Sequence, residues 1–350
     1  MDLSKRINLK AKMIVAFLIV AAVPFAVLSW IALWKSSSAL TAAAFEKLEA
    51  VKEIKKNQIR TLVERFRTDI LSVAKNQDIK GMAYMFESHY AYKQVSDAGP
   101  FETASEEYKT YHERFSLYPR DFITAYNYRD LLIIRPETGH VLFTVNREKD
   151  LGTNLRHGPY RESNLAVLWQ KVVERKEVVF VDFQAYQPSD GDMASFIGAP
   201  LLEEKTDKLI AVVALRVSKD QLNAIMEERT GMGKTGLTFL AGRDMHGRMF
   251  LRNDVRIKQG YVCGAALMSP YLNEALKKMT DGRETFRDEE GRFVMTAYGP
   301  LGIKGIDWFI VSQINRDEAC QAVASLKIMI IGTALIGTVF IIVVALLVSL

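Results

Sequence analysis

The chain has 350 residues, a formal net charge of +5, 49% apolar and 25% charged residues. No basic run is interleaved with aromatic residues, so composition gives no support to a nucleic-acid partner. Its two cysteines, Cys263 and Cys320, are far apart, and both a bridge and two free thiols stay open.

Residues 1–12 form a short N-terminus with four cations, Lys5, Arg6, Lys10 and Lys12, against the single acid Asp2. Residues 13–34 are apolar for long enough to cross a bilayer, which takes about 20 residues. A cleaved signal peptide would have a shorter apolar core, and Trp30 and Trp34 stand where an interfacial belt would fall. The charge bias predicts a cytoplasmic N-terminus and residues 35–327 outside. Residues 328–350 form a second apolar run that reaches the last residue, so no output domain follows within this sequence. Between the runs lies enough chain for one or two folded modules.

After Trp34 no helix breaker occurs before Gly81, and residues 35–95 are expected as one long helix. Leu48, Val51, Ile54, Ile59, Leu62, Val63, Phe66, Ile70 and Val73 recur at spacings of three and four and form its apolar stripe. Lys52, Glu53, Lys55, Lys56, Arg60, Glu64 and Arg65 fill the other face. The stripe covers its own module, and part of it is expected to pair with a second copy. The pattern lapses over Ser96–Glu107, read as a loop.

Strand patterns come next. Leu131–Ile134 and Val141–Val145 form a hairpin, as do Glu177–Tyr186 and Met193–Leu202; Leu209–Val217 is a third strand run. The order then repeats with Leu237–Leu240 and Met249–Leu251, then Glu284–Asp288 and Arg292–Tyr298 across Glu289-Glu290-Gly291, then Trp308–Ile314. Residues 96–230 and 231–318 are thus two similar modules. Each ends in a capping pattern, Ser218 with Gln221 and Asn315 with Glu318, that feeds a strand into a helix.

Few motifs carry chemistry. Gly231-Met232-Gly233-Lys234-Thr235-Gly236 lacks the earlier glycine of a phosphate loop, since Glu228 stands there, and reads as a turn. His89, His112, His140, His157 and His246 have no metal-ligand spacing, and no nucleophile elbow occurs. Neither an enzyme, a metal nor a cofactor is expected. The strongest candidate is Asp182. Alternation would set Phe180, Asp182, Gln184 and Tyr186 on one face and Val179, Val181, Phe183 and Ala185 on a core face. A carboxylate among aromatics needs a partner. A ligand amine or hydroxyl, a backbone amide, and an internal arginine such as Arg161 all qualify.

The chain resembles the double Cache sensor region of methyl-accepting chemotaxis proteins over nearly all of residues 1–350. The resemblance rests on Phe45–Ile59, Asp130–Ile134 with Thr138-Gly139, Gly152–Leu155 with Gly158-Pro159-Tyr160, Asp182-Phe183 with Tyr186, Pro188 and Ser189, and Gly233–Gly236. It implies an α+β fold: a long N-terminal helix carrying two stacked PAS-like antiparallel-sheet modules, flanked by two transmembrane helices. It also implies a homodimer in the bacterial cytoplasmic membrane, with the sensor outside and downstream signalling proteins if an output domain is present. The ligand would be a small molecule in the membrane-distal module, at Tyr128, Arg129, Tyr160, Arg161, Asp182, Tyr186 and Phe196. The same sensor type serves histidine kinases and nucleotide cyclases, which is the alternative reading.

Overall fold

Helix α1 (Leu9–Lys75) runs without interruption from the first apolar stretch into the soluble part of the chain. The computed structural model describes residues 9–244, 246–288 and 290–349; most of the expected N-terminal segment, Glu289 of the expected turn and Leu350 lie outside them. The helix ends at Asn76, five residues before the glycine that the sequence offered as its first breaker. The Asn76 side chain accepts hydrogen bonds from the amides of Asp78 and Ile79 and so caps α2 (Gln77–Tyr92). A short amide side chain competes for backbone N–H groups and starts a new helix. Gly81 sits inside α2. Two short helices, α3 (Glu106–Phe115) and α4 (Leu117–Ala125), precede the first strand.

The first sheet comprises β1 (Tyr128–Ile134), β2 (Val141–Thr144), β3 (Val179–Tyr186), β4 (Asp192–Leu202) and β5 (Leu209–Val217), with α5 (Asn164–Arg175) between β2 and β3. It is antiparallel with order β2-β1-β5-β4-β3. Alternate residues enter different cores. Leu131, Ile133, Val213 and Leu215 pack on Ile59, Phe66 and Ile70 of α1. Leu132, Ile134, Val212 and Ala214 pack on Leu168 and Trp169 of α5. Both faces are covered, which explains the nearly continuous apolar runs.

After α6 (Lys219–Glu227), a second sheet repeats the plan: β6 (Leu237–Arg243), β7 (Met249–Leu251), α7 (Pro270–Lys277), β8 (Gly282–Arg287), β9 (Phe293–Pro300) and β10 (Trp308–Asn315), in the order β7-β6-β10-β9-β8. A short helix α8 (Arg316–Ala319) then leads into α9 (Gln321–Ser349). Among the described residues, α1 and α9 each hold a window long and apolar enough to cross a membrane, within Val23–Lys75 and Ala324–Val344.

The polarity of α1 departs from its expected stripe. Lys52, Lys55 and Lys56 are buried, whereas Ile54 is 59% exposed. The lysines are drawn inward by specific acceptors. Lys55 Nζ donates to the carbonyls of Met226 (2.8 Å) and Glu228 (2.5 Å) at the end of α6, and Lys52 Nζ meets Asp281 at 2.6 Å. A cation at a helix C-terminus suits the exposed carbonyls there. Burial lowers the Lys55 amine to about 8.

The two capping patterns are half realised. Ser218 and Asn315 do cap α6 and α8. Gln221 and Glu318 do not turn back to them. Gln221 instead reaches the carbonyls of Tyr126 and Asn127, while Glu318 accepts from the amides of Lys234 (2.5 Å) and Thr235 (2.8 Å). The glycine-rich segment 231–236 is therefore a turn gripping the root of α9. An added Cβ at Gly233 would stand 2.4 Å from the Glu318 carboxylate.

Candidate functional site

β3 holds the residues on which the sequence placed most weight, and a bulge reorganises them. The β3–β4 register pairs Val181 with Phe196 and Gln184 with Ala194, so one extra residue lies on β3 between them. A bulge reverses the facing of the residues beyond it. Val179 and Val181 therefore share the α5 face with Tyr186, while Phe180 and Phe183 face the α1 side. The expected sorting into one core face and one site face does not hold.

Asp182, at the bulge, is separated from Tyr186 and turned to the second sheet. Its Oδ2 accepts from Arg252 Nε (2.9 Å) and pairs with the same guanidinium at 2.7 Å. Its Oδ1 accepts from Trp308 Nε1 (2.7 Å) and from the Phe183 amide (2.7 Å). Phe180 and Phe183 close over Trp308, with ring centroids at 5.9 and 6.0 Å. The carboxylate partner is thus an internal arginine, but Arg252 and not Arg161. Burial raises the Asp182 carboxyl, against the pull of Arg252.

The other expected residues scatter. Tyr128 faces α1 and donates to Asp69 Oδ2 at 2.8 Å. Arg129 is exposed and pairs with Asp220 at 2.5 Å. Arg161 is exposed beside Glu162. Tyr160, Tyr186 and Phe196 do come together on the α5 face, with Tyr186 and Phe196 edge-to-face at 5.0 Å.

Around Tyr186 the α5 face carries an unusual density of buried polar groups. Tyr186 donates to Asp150 Oδ2 at 2.5 Å. Arg216, directly opposite Phe196 in the β4–β5 register, forks onto both Glu148 oxygens at 3.0 Å and donates to Ser189 at 2.5 Å. Asp130 Oδ1 accepts from the amides of Leu131, Val145 and Asn146. Asn164, at the start of α5, ties that helix to the carbonyls of Asp182 and Ala194. Three atoms in this group are buried without a partner: Asp150 Oδ1, Asn164 Oδ1 and Arg216 Nε. Unpaired polar atoms in a core are costly, and few are retained.

Electrostatics follow from burial. Burial first, then repulsion from Asp150, pushes the Asp130 carboxyl up to about 8. Burial raises Asp150 to about 6, with the Tyr186 hydroxyl opposing. Tyr186 is pushed well above its ordinary value by burial and by Asp150. With Asp130 protonated at neutral pH, Glu148 and Asp150 stand against the single guanidinium of Arg216.

Asp130, Glu148, Asp150, Ser189 and Arg216 were not singled out as site residues by sequence. Two of them left a signal: Arg216 stands inside the apolar run Leu209–Val217, and Asp130 begins Leu131–Ile134. A charge in a strand buried on both faces is costly to keep without a role.

No protein-family model and no curated protein matches the chain. Solved structures share its fold. The ligand-binding domain of the Pseudomonas fluorescens chemoreceptor CtaA, solved with L-isoleucine, aligns at a TM-score of 0.50 and 14% identity, over 82% of this chain and 98% of that one. The ligand-binding domain of the Campylobacter jejuni chemoreceptor Tlp3, solved with 4-methylisoleucine, aligns at 0.51 and 11% identity, over 80% and 94%. The Tlp3 sensory domain gives 0.51 and 11%, over 81% and 98%. The chain has the double Cache fold of bacterial chemoreceptor ligand-binding domains.

Proposed function

We propose that the chain is the sensing part of a transmembrane chemoreceptor whose ligand is a small molecule held between α5 and the first sheet. The observation that carries this reading is the set of unpartnered buried atoms in the polar group around Tyr186. Asp150 Oδ1 and Asn164 Oδ1 are acceptors suited to an ammonium, and Arg216 Nε is a donor suited to a carboxylate. A zwitterionic α-amino acid presents both groups. The solved neighbours that carry L-isoleucine and 4-methylisoleucine support the same chemical class. Tyr160 and Phe196 would line the apolar part of the pocket.

In this reading α1 and α9 span the bacterial cytoplasmic membrane and the two sheets lie outside it. The chain works as a homodimer through the outer face of α1, where Ile54 is exposed. β10 passes directly into α8 and α9, so a shift of the second sheet reaches the second span. A ligand biases such an equilibrium only by its differential affinity for the two arrangements.

The test is thermal unfolding of the full chain in detergent micelles with α-amino acids. Parallel arms use an aliphatic amine and a carboxylic acid of the same side chain. Amino acids are expected to raise the melting temperature, since a ligand at about 100 times its Kd stabilises by ~2.7 kcal/mol. The amine and the acid alone are expected to do so far less. A response of equal size to all three, or an unchanged response in Asp150→Asn, overturns the proposal.

A further inference from the structure

Helix α6 follows the first sheet in sequence and packs with it. Leu222 and Met226 lie in one core with Ile59, Tyr128 and Val217. Gln221 donates to the Asn127 carbonyl at 2.8 Å and accepts from Arg65 of α1. Lys219 and Asn223 also reach Asp254 of the second module, each at 3.1 Å. At the far end of the helix, Lys55 of α1 holds the carbonyls of Met226 and Glu228. From there the chain runs along α1 toward the first span. An added Cβ at Gly231 would stand 3.9 Å from Lys47 Cε. Lys47 is eight helical residues, about 12 Å, nearer that span than Lys55.

The turn that follows is braced within itself and fastened at its lower end. Arg229 Nε donates to the Gly236 carbonyl at 2.8 Å, and another nitrogen of the same guanidinium donates to the carbonyls of Gly233 and Lys234. Glu318 of α8 accepts from three donors of the turn: the amides of Lys234 and Thr235 and the Thr235 hydroxyl, the last at 2.5 Å. The same hydroxyl accepts from the Asn315 amide at 3.1 Å. The Thr235 hydroxyl first, then the two amides, hold the Glu318 carboxyl below the usual carboxylate range, with burial opposing. Glu318 stands three residues before Gln321, where α9 begins. Between the two fastenings lies a cleft of about 390 Å³, lined by Ala44, Lys47 and Val51 of α1, Met232 of the turn, and Ile314 and Glu318. Close packing resists displacement, and here it is interrupted. A braced segment held at two points beside open space can shift as one body.

We propose that the end of α6 and residues 228–236 form a strap that carries displacement of the first module along α1 to the root of α9. The other path from α6 starts at Asp254 and crosses β7, β6 and β10 before it meets α8. The strap covers the same gap with seven residues of chain and one carboxylate. Its role in signalling rests on the reading that the chain is a transmembrane sensor; the link itself does not.

The experiment is hydrogen exchange read by mass spectrometry on the full chain in nanodiscs, which reports local opening. Lys55→Met keeps an unbranched side chain and removes the donor at the upper fastening. Thr235→Val keeps the side-chain shape and removes the hydroxyl at the lower one. Lys55→Met is expected to speed exchange roughly two- to tenfold, the range for one lost hydrogen bond, in residues 221–230 and also in 312–322. Residues 282–300 of β8 and β9 are expected to stay unchanged. Thr235→Val is expected to act from the other end and to reach 221–230. An effect of Lys55→Met confined to 221–230, or no effect at all, overturns the proposal. A rise in 282–300 as large as that in 312–322 also overturns it, because the second sheet then carries the motion. If Lys55→Met does not fold, Thr235→Val decides, and unchanged exchange at 221–230 overturns the strap. Free exchange across 330–345 means instead that the spanning reading has failed, and the strap is then judged on the other peptides.

Discussion

Asp182 on β3 and Trp308 on β10 share a 2.7 Å hydrogen bond across the seam between the two sheets. With Arg252 on the other carboxylate oxygen, this is one place where the first module is fastened to the second, beside the Lys219–Asp254 and Lys304–Glu177 pairs. Removing one partner of such a pair leaves a buried charge uncompensated. Asp182→Ala is therefore expected to destabilise the chain by about 3 kcal/mol, and Arg252→Ala by a similar amount. The double variant should cost much less than the sum, because both changes remove one interaction. Urea unfolding followed by Trp308 fluorescence checks this. Additive losses would mean that the pair does not act as a unit.

The pH dependence of stability should run against the usual carboxylate case. Asp130 and Asp150 titrate at about 8 and about 6 when folded, above the ordinary 3.8. The folded chain then binds more protons than the unfolded one between those limits. Their contribution is complete below about 4 and is lost as pH rises through about 6 and about 8. Asp130→Asn keeps an acceptor for three amides and removes the charge. It is expected to flatten the fall in urea midpoint between pH 6 and 8. An unaltered slope would place the titration in other groups.

Ligand binding should take the opposite course. An ammonium needs the ionised Asp150, so affinity should rise as pH passes through about 6. Asp150→Asn and Tyr186→Phe should each weaken binding by roughly ten- to hundredfold, the range for one hydrogen bond to a charged group. Isothermal titration at several pH values reads both effects. Equal affinity in both variants would remove the α5 face from consideration.

Thr41 of α1 lies 4.0 Å from Cys320, measured from Oγ1 to Sγ. Seven residues separate Thr41 from Trp34, and seven separate Cys320 from Lys327, so the two apolar stretches begin at matching depth. Thr41→Cys is expected to form an intrachain disulfide with Cys320 under mild oxidation. A faster-migrating band on a non-reducing gel reports it. Its absence would show that α1 and α9 are out of the described register.

The outward Ile54 marks the side of α1 available to a second chain. Single cysteines at positions 47, 50, 54, 57 and 61 should crosslink between chains in membranes, and those at 48, 52, 55 and 59 should not, a period of three to four residues. Uniform crosslinking would argue against a fixed dimer contact.

Much of the fold was legible because strands write their period, and long apolar helices their length, into the sequence. The strand runs identified from Leu131 to Ile314 fall on β1 to β10. Less was legible where one residue outvotes a pattern. Asn76 ended a helix that apolar spacing continued, and a one-residue bulge at Asp182 inverted the facing of β3. Lys52, Lys55 and Lys56 went inward because Asp281 and the α6 carbonyls, distant in sequence, supply acceptors there. The polar group around Tyr186 is assembled from β1, the β2–α5 segment, β3 and β5, and no local pattern joins those pieces.

Tyr186 and Asp182 are four residues apart on one strand, one aimed at the candidate pocket and the other at the seam. In the proposed reading that spacing makes β3 a shared ledge for ligand binding and for the seam, with a reciprocal consequence. If occupation of the pocket tightens the grip on Arg252 and Trp308 by some factor, a firmer grip must raise the affinity of the pocket by the same factor. The strength with which the two modules hold one another would then set the threshold concentration at which the chain responds.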